Sequence, residues 1–223
     1  MKKGVLCIEG PESVCGDKDC YCCAEFAKKR HSIIQSKAEL MVLGDGRGEK
    51  LSIAYIKDVI HDVLKNYEDP TILFNFHAKE FCDCLMLSNG VSDVSSYAIL
   101  DFIKKHSGKN SSVDCGFFTC FGGLALRDIQ LLPEKSCMIS LANAVEYNYS
   151  KSTVDFYNAI ARTEGDFSLK NSFIEYIRGS SYKTSNPMIG SPQRGIFELP
   201  RHRLNQGKDK RIRFSNQVTE FMR

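Results

Sequence analysis

The sequence predicts an α/β protein, a three-layer αβα sandwich around a mostly parallel sheet. Three observations predict it. Short apolar runs alternate with helix-length amphipathic segments along the chain. Several of those runs are apolar on both faces, which suits strands buried between two helical layers. The 223 residues, 43% hydrophobic and 26% charged, are an ordinary globular composition. That composition excludes wholesale disorder, collagen and coiled coil, and it gives one α/β domain an ample core.

Taken in order, residues 4–8 are the first strand and 20–34 a weakly patterned helix. Residues 39–43 are the second strand, ended by the turn chemistry of Asp45, Gly46 and Gly48. Residues 52–67 repeat Ile53, Ile56, Val59, Ile60, Val63 and Leu64 near a 3.6 period, the mark of a helix with one apolar face. Pro70 suits the start of a third strand at 71–76. A helix over 92–106 repeats Val94, Ala98, Ile99, Phe102 and Ile103 and is stopped by Gly108. Strands follow at 113–120 and 137–141. Helices at 152–162 and 169–178 form a late pair, with Ser152 as an N-cap and Gly179 as a C-terminal stop. Residues 180–200, rich in Ser, Pro and Gly, read as a long surface loop with a final strand at 195–199. The order βαβαβαββ(αα)β fills residues 1–200 as one domain, and residues 201–223 remain as a basic C-terminal tail.

Charge separates these two parts. Residues 201–223 carry seven Lys and Arg against Asp209 and Glu220, a net of +5, while the first 200 residues sum to −2. The expected form of the tail is solvated, with an acidic partner as the occupant its charge would admit. With only Phe214 and Phe221 interleaved, nucleic acid is disfavoured.

Ten cysteines are the unusual feature of the composition. The apolar stretch after Met1-Lys2-Lys3 stops at Glu9, too short for a signal sequence, and nothing approaches the ~18 apolar residues of a membrane span. The chain is expected in the cytoplasm, or exported without a visible signal peptide. In a reducing compartment the cysteines are core thiols, metal ligands or a nucleophile rather than a disulfide set. Cys7, Cys115 and Cys137 fall in predicted strands and read as core thiols.

Reactive groups of open α/β sheets collect past the carboxyl ends of the strands. Two such ends stand out. The strand at 71–76 delivers His77, and the next, at 113–120, delivers Cys120 followed by Phe121-Gly122-Gly123. A thiol and an imidazole on neighbouring strand ends make a nucleophile and its base. A tight glycine turn behind the cysteine lets its own N–H face a developing oxyanion, and Gly122 leaves room for a substrate carbonyl. The N–H groups of Cys120 and of the His77-Ala78 turn are the candidate oxyanion donors.

This arrangement resembles the caspase-like cysteine peptidases, the clan that also holds metacaspases, legumains, gingipains, separases and toxin self-cleavage domains. In that clan a histidine ends one apolar strand and the catalytic cysteine ends the next. Here the two are 43 residues apart, close to the ~50 of caspases. Cys120-Phe121-Gly122 matches the Cys-x-Gly of the caspase signature, with Phe118-Thr119 where Gln-Ala is expected. The element order agrees over residues 4–200.

The resemblance implies a cysteine endopeptidase acting on protein or peptide substrates, with a His77/Cys120 dyad, a thioester intermediate and no cofactor. It implies that residues 141–147 line the pocket for the residue before the scissile bond. Asn143 lies in that segment, and Glu146 there would receive a basic side chain, whereas Arg47 in the 45–48 loop would favour an acidic one. The sequence departs from the clan in having Ala78 where glycine usually follows the histidine and Thr119 where a small or acidic residue precedes the cysteine. It shows no processing linker, so no split into large and small subunits is indicated.

Other readings stay open. A catalytically inactive caspase-like scaffold would explain Ala78. A class I glutamine amidotransferase-like hydrolase shares Cys-x-Gly at a strand end but orders its histidine after the cysteine, which leaves only His202. A cysteine phosphatase needs Cys-x5-Arg, and Arg127 stands one residue too far. No G-x-G-x-x-G follows the first strand, so a dinucleotide site is unsupported. No metal is required, although Cys15, Cys20, Cys23 and His31 could supply four zinc ligands at irregular spacing.

Overall fold

The computed structural model describes residues 3–10, 24–44, 51–81, 84–88, 93–108, 111–146, 150–179, 183 and 185–223. The first half alternates strand and helix: β1 (Gly4–Glu9), α1 (Ala24–Gln35), β2 (Glu39–Leu43), α2 (Ile53–Asn66) and β3 (Thr71–Asn75). Three short strands follow, β4 (His77–Phe81), β5 (Cys84–Ser88) and β6 (Asp93–Ser95), then α3 (Ser96–His106), β7 (Asp114–Phe117), α4 (Gly123–Leu126) and β8 (Met138–Ser140). The helices α5 (Ser150–Arg162) and α6 (Leu169–Arg178) lead to β9 (Met188–Ser191), β10 (Gly195–Glu198), α7 (Arg201–Leu204) and α8 (Lys208–Phe221).

The main sheet has seven strands in the order β10-β9-β8-β7-β3-β1-β2. Strands β2, β1, β3, β7 and β8 run parallel, and β9 and β10 add antiparallel pairings at one edge. Alternation along each strand sorts its side chains into two cores. Leu6, Ile8, Ile72, Phe74, Cys115 and Phe117 face α2 and α3. Val5, Cys7, Leu73 and Ile139 face the layer of α1, α5 and α6. This is the three-layer αβα sandwich with a mostly parallel sheet that the alternation predicts.

Local chemistry sets the helix ends. Ser52 caps α2 by accepting the Tyr55 N–H at 3.1 Å, and Ser168 caps α6 by accepting that of Asn171 at 3.3 Å. Gly179 ends α6, its N–H donating to the Glu175 carbonyl at 3.0 Å. Ser152 is not an N-cap: α5 begins at Ser150, so Ser152 lies buried inside the first turn.

Three stretches differ from expectation. Residues 77–91, assigned no element from the sequence, and 92–95, expected as the start of a helix, hold the antiparallel sheet β4-β5-β6. β4 is interrupted by Lys79 and Glu80 and β6 is only three residues long, whereas the apolar run Cys84-Leu85-Met86-Leu87 of β5 was an available signal. Within 180–200, expected as a loop, β9 is wholly buried and inserts between β8 and β10. Residues 201–223, expected as a solvated tail, are helical instead. Leu204, Ser215 and Val218 are buried, Arg178 donates to the Ser215 hydroxyl at 3.0 Å, and Lys170 donates to the Met222 carbonyl at 2.8 Å. Among the described residues no helix is long and apolar enough to cross a membrane.

Candidate active site

The two sequence-predicted reactive groups follow the carboxyl ends of adjacent parallel strands, β3 and β7. β3 pairs with β7 in a register that sets Phe74 opposite Phe117, and their rings stack with centroids 4.7 Å apart. His77 and Cys120 each stand three residues past that pair, at the carboxyl edge of the sheet. The Phe118 N–H donates to the Phe74 carbonyl at 2.9 Å, which carries the pairing one step further toward them. Both side chains are half-buried. In place of the turn expected at His77-Ala78, these two residues open strand β4, opposite Ser88 and Leu87.

Behind Cys120 the chain turns sharply. Phe121, not a glycine, takes the left-handed conformation, with φ of 56°. A bulky residue rarely adopts that conformation, and such strain is retained where the surroundings fix it. Here the Phe121 N–H donates to the Glu146 carbonyl at 2.8 Å, and the Thr119 hydroxyl donates to the Cys120 carbonyl at 2.6 Å.

The glycines serve packing. Gly122 is right-handed, with φ of −56°, and buried. A Cβ on it would strike the Ser140 hydroxyl and come within 2.9 Å of the Phe117 carbonyl oxygen. A Cβ on Gly123 would meet Asn143 and Met188 atoms at 2.6 Å. Both glycines therefore let the turn after Cys120 seat against β8 and the segment leaving it. Gly123→Ala is expected to lower stability by about 1–3 kcal/mol through this overlap, read from the urea midpoint.

That segment brings Asn143 and Glu146 to the same edge, and both side chains have internal partners. Asn143 donates to Glu198 at 2.9 Å and accepts the Val145 N–H at 3.1 Å. Glu146 accepts the Asn186 N–H at 2.7 Å and lies 4.0 Å from the Arg201 guanidinium. Arg47 lies outside the described residues. So do Cys15, Cys20 and Cys23 of the zinc alternative, whose fourth member, His31, donates Nε2–H to Glu9 at 2.9 Å. His202 is exposed on α7.

The described thiols fall into two groups. Burial pushes those of Cys7, Cys115 and Cys137 up, so they stay protonated core groups. Cys120 is the half-buried one.

One arrangement at this edge escapes the sequence reading. Glu9 closes β1 and is 2% exposed. Its carboxylate accepts from Arg30 at 2.6 Å, from His31, and from the Asn75 amide at 3.2 Å. Asn75, two residues before His77, also accepts the Tyr157 hydroxyl at 3.3 Å and, through its carbonyl, the Gly10 N–H at 2.7 Å. Burial alone would raise the Glu9 pKa; the Arg30 charge and the His31 bond outweigh it and hold the carboxyl below its ordinary range. The available signal was an acidic residue closing an otherwise apolar strand.

Comparison with solved structures identifies this architecture as caspase-like. The Drosophila initiator caspase Dronc superposes with a TM-score of 0.51 at 12% identity, over 78% of this chain and 71% of Dronc. Caspase-1 from Spodoptera frugiperda superposes with a TM-score of 0.58 at 9% identity, over 85% of each chain. No protein-family model matches the sequence, and no curated protein does.

Proposed function

We propose that the chain is a cysteine endopeptidase that hydrolyses peptide bonds through a Cys120/His77 dyad and a thioester intermediate. One observation supports this function: in a caspase-like fold, an imidazole and a half-buried thiol each follow, by three residues, the last rung of two neighbouring parallel strands. His77 takes the Cys120 proton, and the thiolate sulfur attacks the scissile carbonyl. The N–H groups of Cys120 and Ala78 hold the oxyanion. The intermediate collapses with loss of the amine, which receives its proton from His77. Water activated by His77 then hydrolyses the thioester and restores the thiol. The substrate is a protein or peptide, with Asn143, Glu146 and Arg47 as the candidates lining its pocket.

Ala78 favours one second reading, a catalytically inactive scaffold. A methyl group beside the oxyanion position narrows the carbonyl's approach. Labelling with iodoacetamide at limiting concentration, followed by mapping of the adducts, separates the two. The peptidase is expected to label first at Cys120, and that preference is expected to vanish in His77→Ala. Uniform labelling of the thiols, with no hydrolysis of a peptide library, would establish the scaffold.

A further inference from the structure

We propose that the groove between β10 and the helices α7 and α8 binds an extended acidic segment of a partner protein. The groove has a volume of about 450 Å³. Phe197 and Phe214 give it an apolar lining, and Arg203, Lys210 and Arg213 supply its charge. All three cations are exposed, and among the described residues none forms an ion pair with a carboxylate. The carboxylate of Glu198, at the same groove, is held by the Asn143 amide at 2.9 Å. The groove therefore sets three cations against the single carboxylate of Glu198, a net positive lining that an acidic ligand complements.

Two features favour a peptide over a nucleic acid. The first is the distribution of charge on α8. At 100° per residue, Lys210, Arg213 and Gln217 share one face with Phe214, whereas Lys208 and Arg211 share the opposite face with buried Ser215. The cations are split, so they form no continuous stripe that a phosphate backbone could follow. The second is the strand. β10 is the last strand of the sheet, and among the described residues it pairs with β9 alone. Its outer edge offers backbone N–H and C=O groups to an added strand. An extended peptide gains those hydrogen bonds, seats apolar side chains on the two phenylalanines, and presents carboxylates to the three cations. This inference is independent of the peptidase reading, because none of these residues belongs to the dyad.

The test uses the full chain and a short fluorescein-labelled peptide of alternating Glu and Val. Binding is followed by anisotropy at low and high salt, beside a Lys/Val peptide and a single-stranded oligonucleotide. The acidic peptide is expected to bind, and binding is expected to weaken with salt. Lys210→Glu with Arg213→Glu is expected to weaken it at least about tenfold. Arg213→Gln alone should act less strongly in the same direction, and Lys208→Glu should leave it unchanged. Amides of β10 are expected to gain protection from hydrogen exchange when the peptide is bound. Failure of the acidic peptide to bind overturns the proposal. So does an oligonucleotide that binds more tightly and is weakened equally by Lys208→Glu, which would make the helix a general polyanion surface. Self-association abolished by the groove reversals would assign the site to a second copy and overturn it too.

Discussion

Cys120→Ala is expected to reduce peptide hydrolysis to no more than about a thousandth of the original rate. The expectation follows from the division of the described thiols. Cys7, Cys115 and Cys137 are buried with raised pKa values, which removes them as nucleophiles. Cys120 alone among these four is half-buried at the carboxyl edge, three residues past the Phe74–Phe117 pair. Alanine fills less space than the thiol and makes no new overlap, so the urea midpoint should move little. Rates on a peptide library and the midpoint are measured on the same preparation. Undiminished hydrolysis by the folded variant would place the nucleophile elsewhere and end the dyad proposal.

Glu9→Ala carries the second large effect, an expected loss of about 3–5 kcal/mol. The substitution leaves the Arg30 guanidinium, whose side chain is 5% exposed, without its carboxylate. It also removes an acceptor from His31 and from Asn75. Replacing both ends of the pair, as in Glu9→Leu with Arg30→Met, should recover part of the loss, because no unpaired charge then stays buried. The pH dependence has a definite sign. The Glu9 pKa in the folded chain lies below the ~4.3 of an unfolded glutamate. Its contribution is whole above that value and is lost as pH falls through the folded pKa. Acid titration of the unfolding midpoint should therefore be shallower in Glu9→Gln than in the unchanged chain. An equal slope in both would show that Glu9 has no depressed pKa.

Apolar runs flanked by turn signals were legible as strands because the signal is local. The β2 run appears at the expected residues, and β3 differs by one residue at its end. The pairing of β3 with β7 was legible too, since one crossover joins them. The strand behind Cys120 was read too long: β7 stops at Phe117, and the last three residues bend into the turn. Glycine was expected to make that turn, yet Phe121 makes it, because the Glu146 carbonyl 25 residues away fixes its N–H. Such partners are distant in sequence and leave no periodicity. The same holds for α8, whose charge reads as solvation while Val218 and Ser215 reach the core. The Glu9 cluster draws on β1, α1, β3 and α5, so no single window of sequence contains it.

The rung between Phe74 and Phe117 also governs when the site can exist. Its two halves are 43 residues apart, and β4, β5, β6 and α3 lie between them. Closing so long a loop costs chain entropy before the new strand pair offsets it, and non-local parallel pairing is slow compared with helix formation. Helices can therefore form while His77 and Cys120 are still far apart. The reactive edge arises only when β7 docks beside β3, which makes it a product of the central sheet's completion and ties any chemistry there to a fully folded chain.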